Sequence, residues 1–153
     1  MKGFKRLSAF LYLFTGIGAV AGGMAGILEP QSPMGIPIEV LEHSPFGSYL
    51  LPGIFLFAVI GLGNIFSFIL SRRFEEVRGY LSGIMGVILC LWLIIQCLFM
   101  RDIAALHIIF FVIGVFQGLT GLRILLYNRQ FPYYEVTFFF ERWKDKRHMT
   151  KTP

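Results

Sequence analysis

Between Ser44 and Ser71 the chain reads SPFGSYLLPGIFLFAVIGLGNIFSFILS, without one formally charged side chain. An α-helix rises about 1.5 Å per residue and a bilayer's hydrocarbon core is about 30 Å thick, so roughly twenty such residues suffice to cross it. Inside lipid the backbone must pair its own amides, and a single crossing segment does so only as a helix. Glu29, Glu39 and Glu42 precede this stretch, and Arg72 and Arg73 close it. Its two ends therefore face different compartments.

Three further windows have the same character, so the sequence predicts spans at about 8–28, 49–71, 79–99 and 104–127, with an outer loop at 29–48. Hydrophobic residues make up 56% of the chain and charged residues only 15%, whereas soluble domains carry about a quarter charged residues. The expected fold class is an all-α integral membrane protein, an antiparallel four-helix transmembrane bundle forming one domain. Residues 1–28 superficially resemble a signal peptide, but their apolar run exceeds the roughly 7–15 residues of a signal core, and it is read as an uncleaved first span. The tail 128–153 mixes aromatic with basic residues, a composition suited to docking at the cytoplasmic headgroup interface.

The net charge of +5 is explained by topology. Lys2, Lys5 and Arg6 precede the first span, Arg72, Arg73 and Arg78 lie between the second and third, and Arg129, Arg142 and Lys144 follow the fourth. Under the positive-inside rule both termini are cytoplasmic, and no nucleic-acid partner is called for. Cys90 and Cys97 are seven residues apart on one predicted helix, about 10 Å, which is too far for a disulfide.

Small residues form stripes on the predicted helices. Gly18, Gly22 and Gly26 recur at four-residue spacing, Gly79 pairs with Gly83, and Gly114 and Gly118 follow His107 on one face. Such stripes let helices approach closely where lipid supplies no hydrophobic drive, within the bundle or against a partner or second copy. Asn64 is expected to bond across to another helix. Trp92 reads as an interfacial anchor one turn from Gln96, and the RRFEEVR turn as solvated. In the outer loop, prolines leave room for one short turn near Ile38 to Glu42, and Ile36, Ile38, Val40 and Leu41 are expected to lie back on the bundle mouth.

No Asp or Glu falls within a span, which argues against cation-coupled transport, and only His107 is an intramembrane histidine, which excludes a haem held by two. No catalytic residue, metal site or cofactor is expected. The remaining polar groups, Glu42, His43, Gln96, Arg101, Asp102 and His107, share the outer depth and form the candidate site for a ligand or partner.

The SPFGSYLLPG entry into the second span, with Trp92 and Gln96 as a W-x-x-x-Q pair in the third, resembles a set of small four-span bacterial inner-membrane proteins. DoxX-like proteins share the four-span layout as a second likeness. The resemblance implies a bacterial cytoplasmic membrane location and an accessory role. The expected function is thus a non-enzymatic accessory subunit packing against a larger sensor or transporter through glycine-rich faces. A small lipid- or quinone-binding enzyme or carrier is the alternative, and a small transporter or channel the third.

Overall fold

The computed structural model describes residues 2–101, 104–131 and 138, and the regular elements among them are all helical. Among the described residues four helices are long and apolar enough to cross a membrane: α1 (Lys2–Leu28), α2 (Leu50–Arg73), α3 (Arg78–Met100) and α4 (Ala105–Tyr127). Helix α1 starts earlier than its apolar window because Lys and Arg are good helix formers and Lys5 is held by Glu75 in the turn before α3. Short 3-10 turns occupy Pro33–Gly35, Ile38–Leu41 and Glu75–Val77. The tail beyond residue 131, Phe138 apart, lies outside the described residues, and so does Asp102.

The polarity of the bundle is inverted relative to a water-soluble one. Phe10, Ile17, Leu51, Phe66, Ile69 and Leu98 are exposed, whereas Ser8, Thr15, Asn64, Ser67, Ser82 and Gln117 are buried. With lipid as the solvent, that is the arrangement in which apolar side chains face outward and polar groups find partners inside.

Two close helix pairs build the core, and glycine permits both. Between α1 and α2, a Cβ on Gly53 would come within 2.9 Å of the Gly23 carbonyl, and one on Gly61 within 3.0 Å of the Val20 nitrogen. Between α3 and α4, a Cβ on Gly86 would lie 2.5 Å from the Gly118 nitrogen and 2.6 Å from the Gly114 carbonyl. Farther along, Gly79 faces Gly121. The predicted stripes are therefore occupied largely inside the bundle. Pro52 sits in the first turn of α2, where its missing N–H costs little. The middle of α2, Leu56–Leu62, is π-helical, a change of winding that a uniformly apolar run does not reveal.

Three expectations are corrected. The outer loop holds two short turns, Pro33–Gly35 and Ile38–Leu41, where one was expected, Met34 and Gly35 taking positive φ after Pro33. Trp92 is buried and stacked on Phe55 with ring centroids 4.2 Å apart, because α3 turns the face that carries Leu89, Trp92 and Leu93 toward Ala19 and Ile60. It is a core residue, and no interfacial anchor. Arg78, read as part of a solvated turn, is 8% exposed and donates from Nη2 to the Ser71 carbonyl at 2.6 Å. The C-terminal carbonyls of α2 lack partners within their helix and draw the guanidinium inward.

The glycines differ in what they tolerate. Gly86→Ala should push α3 from α4 and cost about 1–3 kcal/mol by overpacking. Gly83→Ala and Gly118→Ala add a methyl where nothing lies within 4 Å, so thermal unfolding in detergent should show them neutral or stabilised by up to about 1 kcal/mol.

Candidate functional site

The end of the bundle that carries the 29–48 loop is hollow. The cavity, about 340 Å³, is walled by α1 through Gly18, Gly22 and Gly26, by α2 through Pro52, Gly53 and Leu56, by α3 through Leu89, Leu93 and Gln96, and by α4 through His107 and Phe110. The α1 glycines let other groups of the wall close in: a Cβ on Gly18 would come within 2.9 Å of the Phe110 ring, and one on Gly22 within 3.3 Å of Leu56. The loop covers the mouth with Pro33, Met34, Ile36 and Val40, and Leu41 is buried beside them. The apolar loop residues thus lie back on the bundle as their composition predicts. Glu39, Glu42 and His43 remain exposed.

Tyr49 fastens this cover. Its ring is buried, its hydroxyl donates to the Pro37 carbonyl at 3.1 Å, and its amide donates to the Pro30 carbonyl at 2.9 Å. The beginning and the middle of the loop are thereby tied to the start of α2. Phe46 adds an edge-on contact to Phe99 of α3, with centroids 5.6 Å apart.

Among the predicted site residues, Gln96 and His107 are the two that line the cavity. The Nδ1 of His107 accepts the Ala104 amide proton at 3.2 Å, so the neutral ring carries its proton on Nε2 and presents a donor. Gln96 is half-buried and adds a carboxamide, both donor and acceptor. Arg101 is exposed in a left-handed conformation with φ of 48° and lines a separate open groove with Cys97, Leu98 and the other side of His107. Glu42 and His43 are not part of either wall. The five described residues of the rim therefore resolve into one pair facing inward, with Glu42, His43 and Arg101 apart from it; Asp102 lies outside the described residues. Among the described residues no group of His, Cys, Asp and Glu is placed to hold a metal.

A second polar region lies toward the other end. Asn64 and Gln117 meet as expected for an interhelical bond, Nε2 of Gln117 donating to Oδ1 of Asn64 at 2.7 Å, while Asn64 Nδ2 donates to the Ile60 carbonyl at 2.8 Å. Ser82 donates to the Gln117 main-chain carbonyl at 2.8 Å, and Tyr12 donates to that of Arg78 at 3.2 Å. Ser8, Tyr12 and Thr15 recur at helical spacing on α1, and Asn64, Ser67 and Ser71 on α2, a periodicity that marks one inward face on each helix. That signal was present but overshadowed by the glycines.

No family model, curated protein or solved structure matches the chain.

Tyr49→Phe removes one hydrogen bond to the loop and should cost about 1 kcal/mol. The measurable consequence is faster proteolytic cleavage within residues 29–48, with unchanged helical content by circular dichroism.

Proposed function

We propose that the protein is a small membrane carrier that holds one apolar amphiphile, a lipid or a quinone, in the loop-end cavity. The observation that carries this reading is the convergence of all four helices and the loop on one apolar space with two polar groups, Gln96 and His107, in its wall. Pockets for small ligands are typically of this kind, a few hundred Å³, largely apolar, with few polar groups that set orientation. The chain or isoprenoid part would lie along Gly18, Gly22, Leu56 and Leu93. A carbonyl or ester oxygen would accept from His107 Nε2 and from Gln96.

The proposed topology is an antiparallel bundle with the cavity on the outer side and both termini in the cytoplasm. Its support is the charge distribution: Lys5, Arg78 and residues 128–130 share the end opposite the cavity, where Lys5 meets Glu75 and Gln130 donates to the Glu76 carbonyl, and positive charge favours the cytoplasmic side. The bacterial cytoplasmic membrane is the location the sequence resemblance favours. Packing against a larger membrane protein or a second copy keeps a narrower basis than the glycine stripes gave it. Of the glycines singled out for packing, only Gly83 and Gly118 present an open side.

The test is lipid analysis of protein purified from its native membrane. The double variant Gln96→Leu, His107→Ala should lose the copurifying amphiphile several-fold while keeping its helicity and elution volume. Unchanged ligand content in that variant would contradict the proposal.

A further inference from the structure

Among the described residues that wall the loop-end cavity none is Asp, Glu, Lys or Arg, and Gln96 and His107 supply its side-chain donors of N–H type. An ionised headgroup buried there would lose its water without gaining a counter-charge, whereas the neutral ester of a diacyl lipid suits the pair. The volume of about 340 Å³ lies at the small end of the range for a drug-sized ligand, and a whole membrane lipid is larger. A lipid held here therefore leaves its headgroup and one chain outside, which requires an opening toward the bilayer.

Three of the four seams around the cavity are shut among the described residues. Between α1 and α2, a Cβ on Gly26 would come within 3.0 Å of the Tyr49 carbonyl, and one on Gly53 within 2.9 Å of the Gly23 carbonyl. Between α2 and α3, Phe55 stacks on Trp92 and Phe46 meets Phe99 edge-on. Between α3 and α4, Leu93 belongs both to the cavity and to the groove of Arg101 and is itself buried, so it stands as a partition.

The seam between α4 and α1 is shut only as far as Phe110, whose ring stacks on Phe14 at 6.0 Å and lies 2.9 Å from a Cβ position on Gly18. One turn earlier in α4, Leu106 shares the face of Phe110 and lines the cavity, yet it is 60% exposed, so α1 does not cover it. The corresponding turns of α1 face α2 instead: a Cβ on Gly22 meets Leu56, and one on Gly26 meets Tyr49 and Gly53. Met34 of the loop lines the cavity too and is 70% exposed, which marks the loop-side edge of the same gap.

We infer that this gap, bounded by Gly22, Leu106, Phe110 and Met34, is a lateral portal through which one acyl chain of a diacyl phospholipid enters the cavity from the leaflet on the loop side. The ester carbonyl accepts from Gln96 and His107, while the headgroup and the second chain stay in the leaflet. The inference rests on the carrier reading and narrows its ligand to a lipid shared between cavity and bilayer. Sideways passage keeps the chain out of water, whereas exit past the loop would wet it. The loop fastened by Tyr49 can thus stay closed throughout.

Photolabelling tests this in phosphatidylcholine vesicles doped with phosphatidylcholine that carries a diazirine at the end of one acyl chain or, in a separate preparation, on the headgroup. The chain probe should label Leu56 and Leu89 in the cavity wall, and the headgroup probe should leave both unlabelled. Leu106→Trp places a larger ring at an exposed rim position and should lower chain labelling of Leu56 and Leu89 several-fold, with labelling of the lipid-facing Leu98 unchanged. Leu106→Ala, which widens the gap, should not lower it. Equal labelling of Leu56 and Leu89 in Leu106→Trp would overturn the portal and leave the carrier reading standing. Headgroup labelling of those residues would overturn the one-chain arrangement. Absence of chain labelling there in the wild type would overturn the assignment of a diacyl lipid, and the carrier reading would survive only if a quinone bearing the same diazirine labelled Leu56 and Leu89.

Discussion

What the structure depends on most is the demand that no polar group be left facing hydrocarbon. Away from the helix ends the backbone groups of a span pair within their own helix, and the side chains that cannot be hidden that way are gathered inward. Asn64 illustrates the rule: its carboxamide nitrogen takes the Ile60 carbonyl one turn back, and its oxygen accepts from Gln117 on another helix. Ser82 and Tyr12 donate to main-chain carbonyls across the bundle in the same way. Interhelical bonds of this type contribute on the order of 1 kcal/mol each in lipid, so they fix rotation and register more than they add stability.

Glycine provides the complementary constraint. Where the backbones of α3 and α4 touch, at Gly86 against Gly114 and Gly118, contact area replaces the hydrophobic effect as the source of association. On α1 the same residue type has two consequences. Gly23 and Gly26 let the α2 backbone come close, whereas Gly18 and Gly22 admit the side chains of Phe110 and Leu56 against the cavity wall. A single compositional feature thus receives backbone at one place and a neighbouring side chain at another.

Much of this was legible in the residues. The four helices follow from uncharged runs whose length matches the bilayer, and the apolar loop residues Ile36, Val40 and Leu41 announced that the loop would fold back. Gln96 and His107 were legible as polar groups at one depth, but depth alone does not say which neighbours share a wall, and Glu42, His43 and Arg101 fell elsewhere. Trp92 was misread because tryptophan is common at interfaces, and helix rotation, set here by Phe55 and the glycine contacts, decides the matter. Arg78 was misread because charge usually means solvent, whereas the carbonyl end of α2 offers a buried partner. The π-helical turn in α2 leaves no trace in an evenly apolar sequence.

Direct observation of the cavity in a lipid environment bears most immediately on the account. A high-resolution structure of the protein in discs of its native membrane should show elongated non-protein density between Gly22, Leu93, Gln96 and His107, with its polar end against the His107 ring. A cavity closed by movement of Leu93 and Phe110, with no such density, would contradict it.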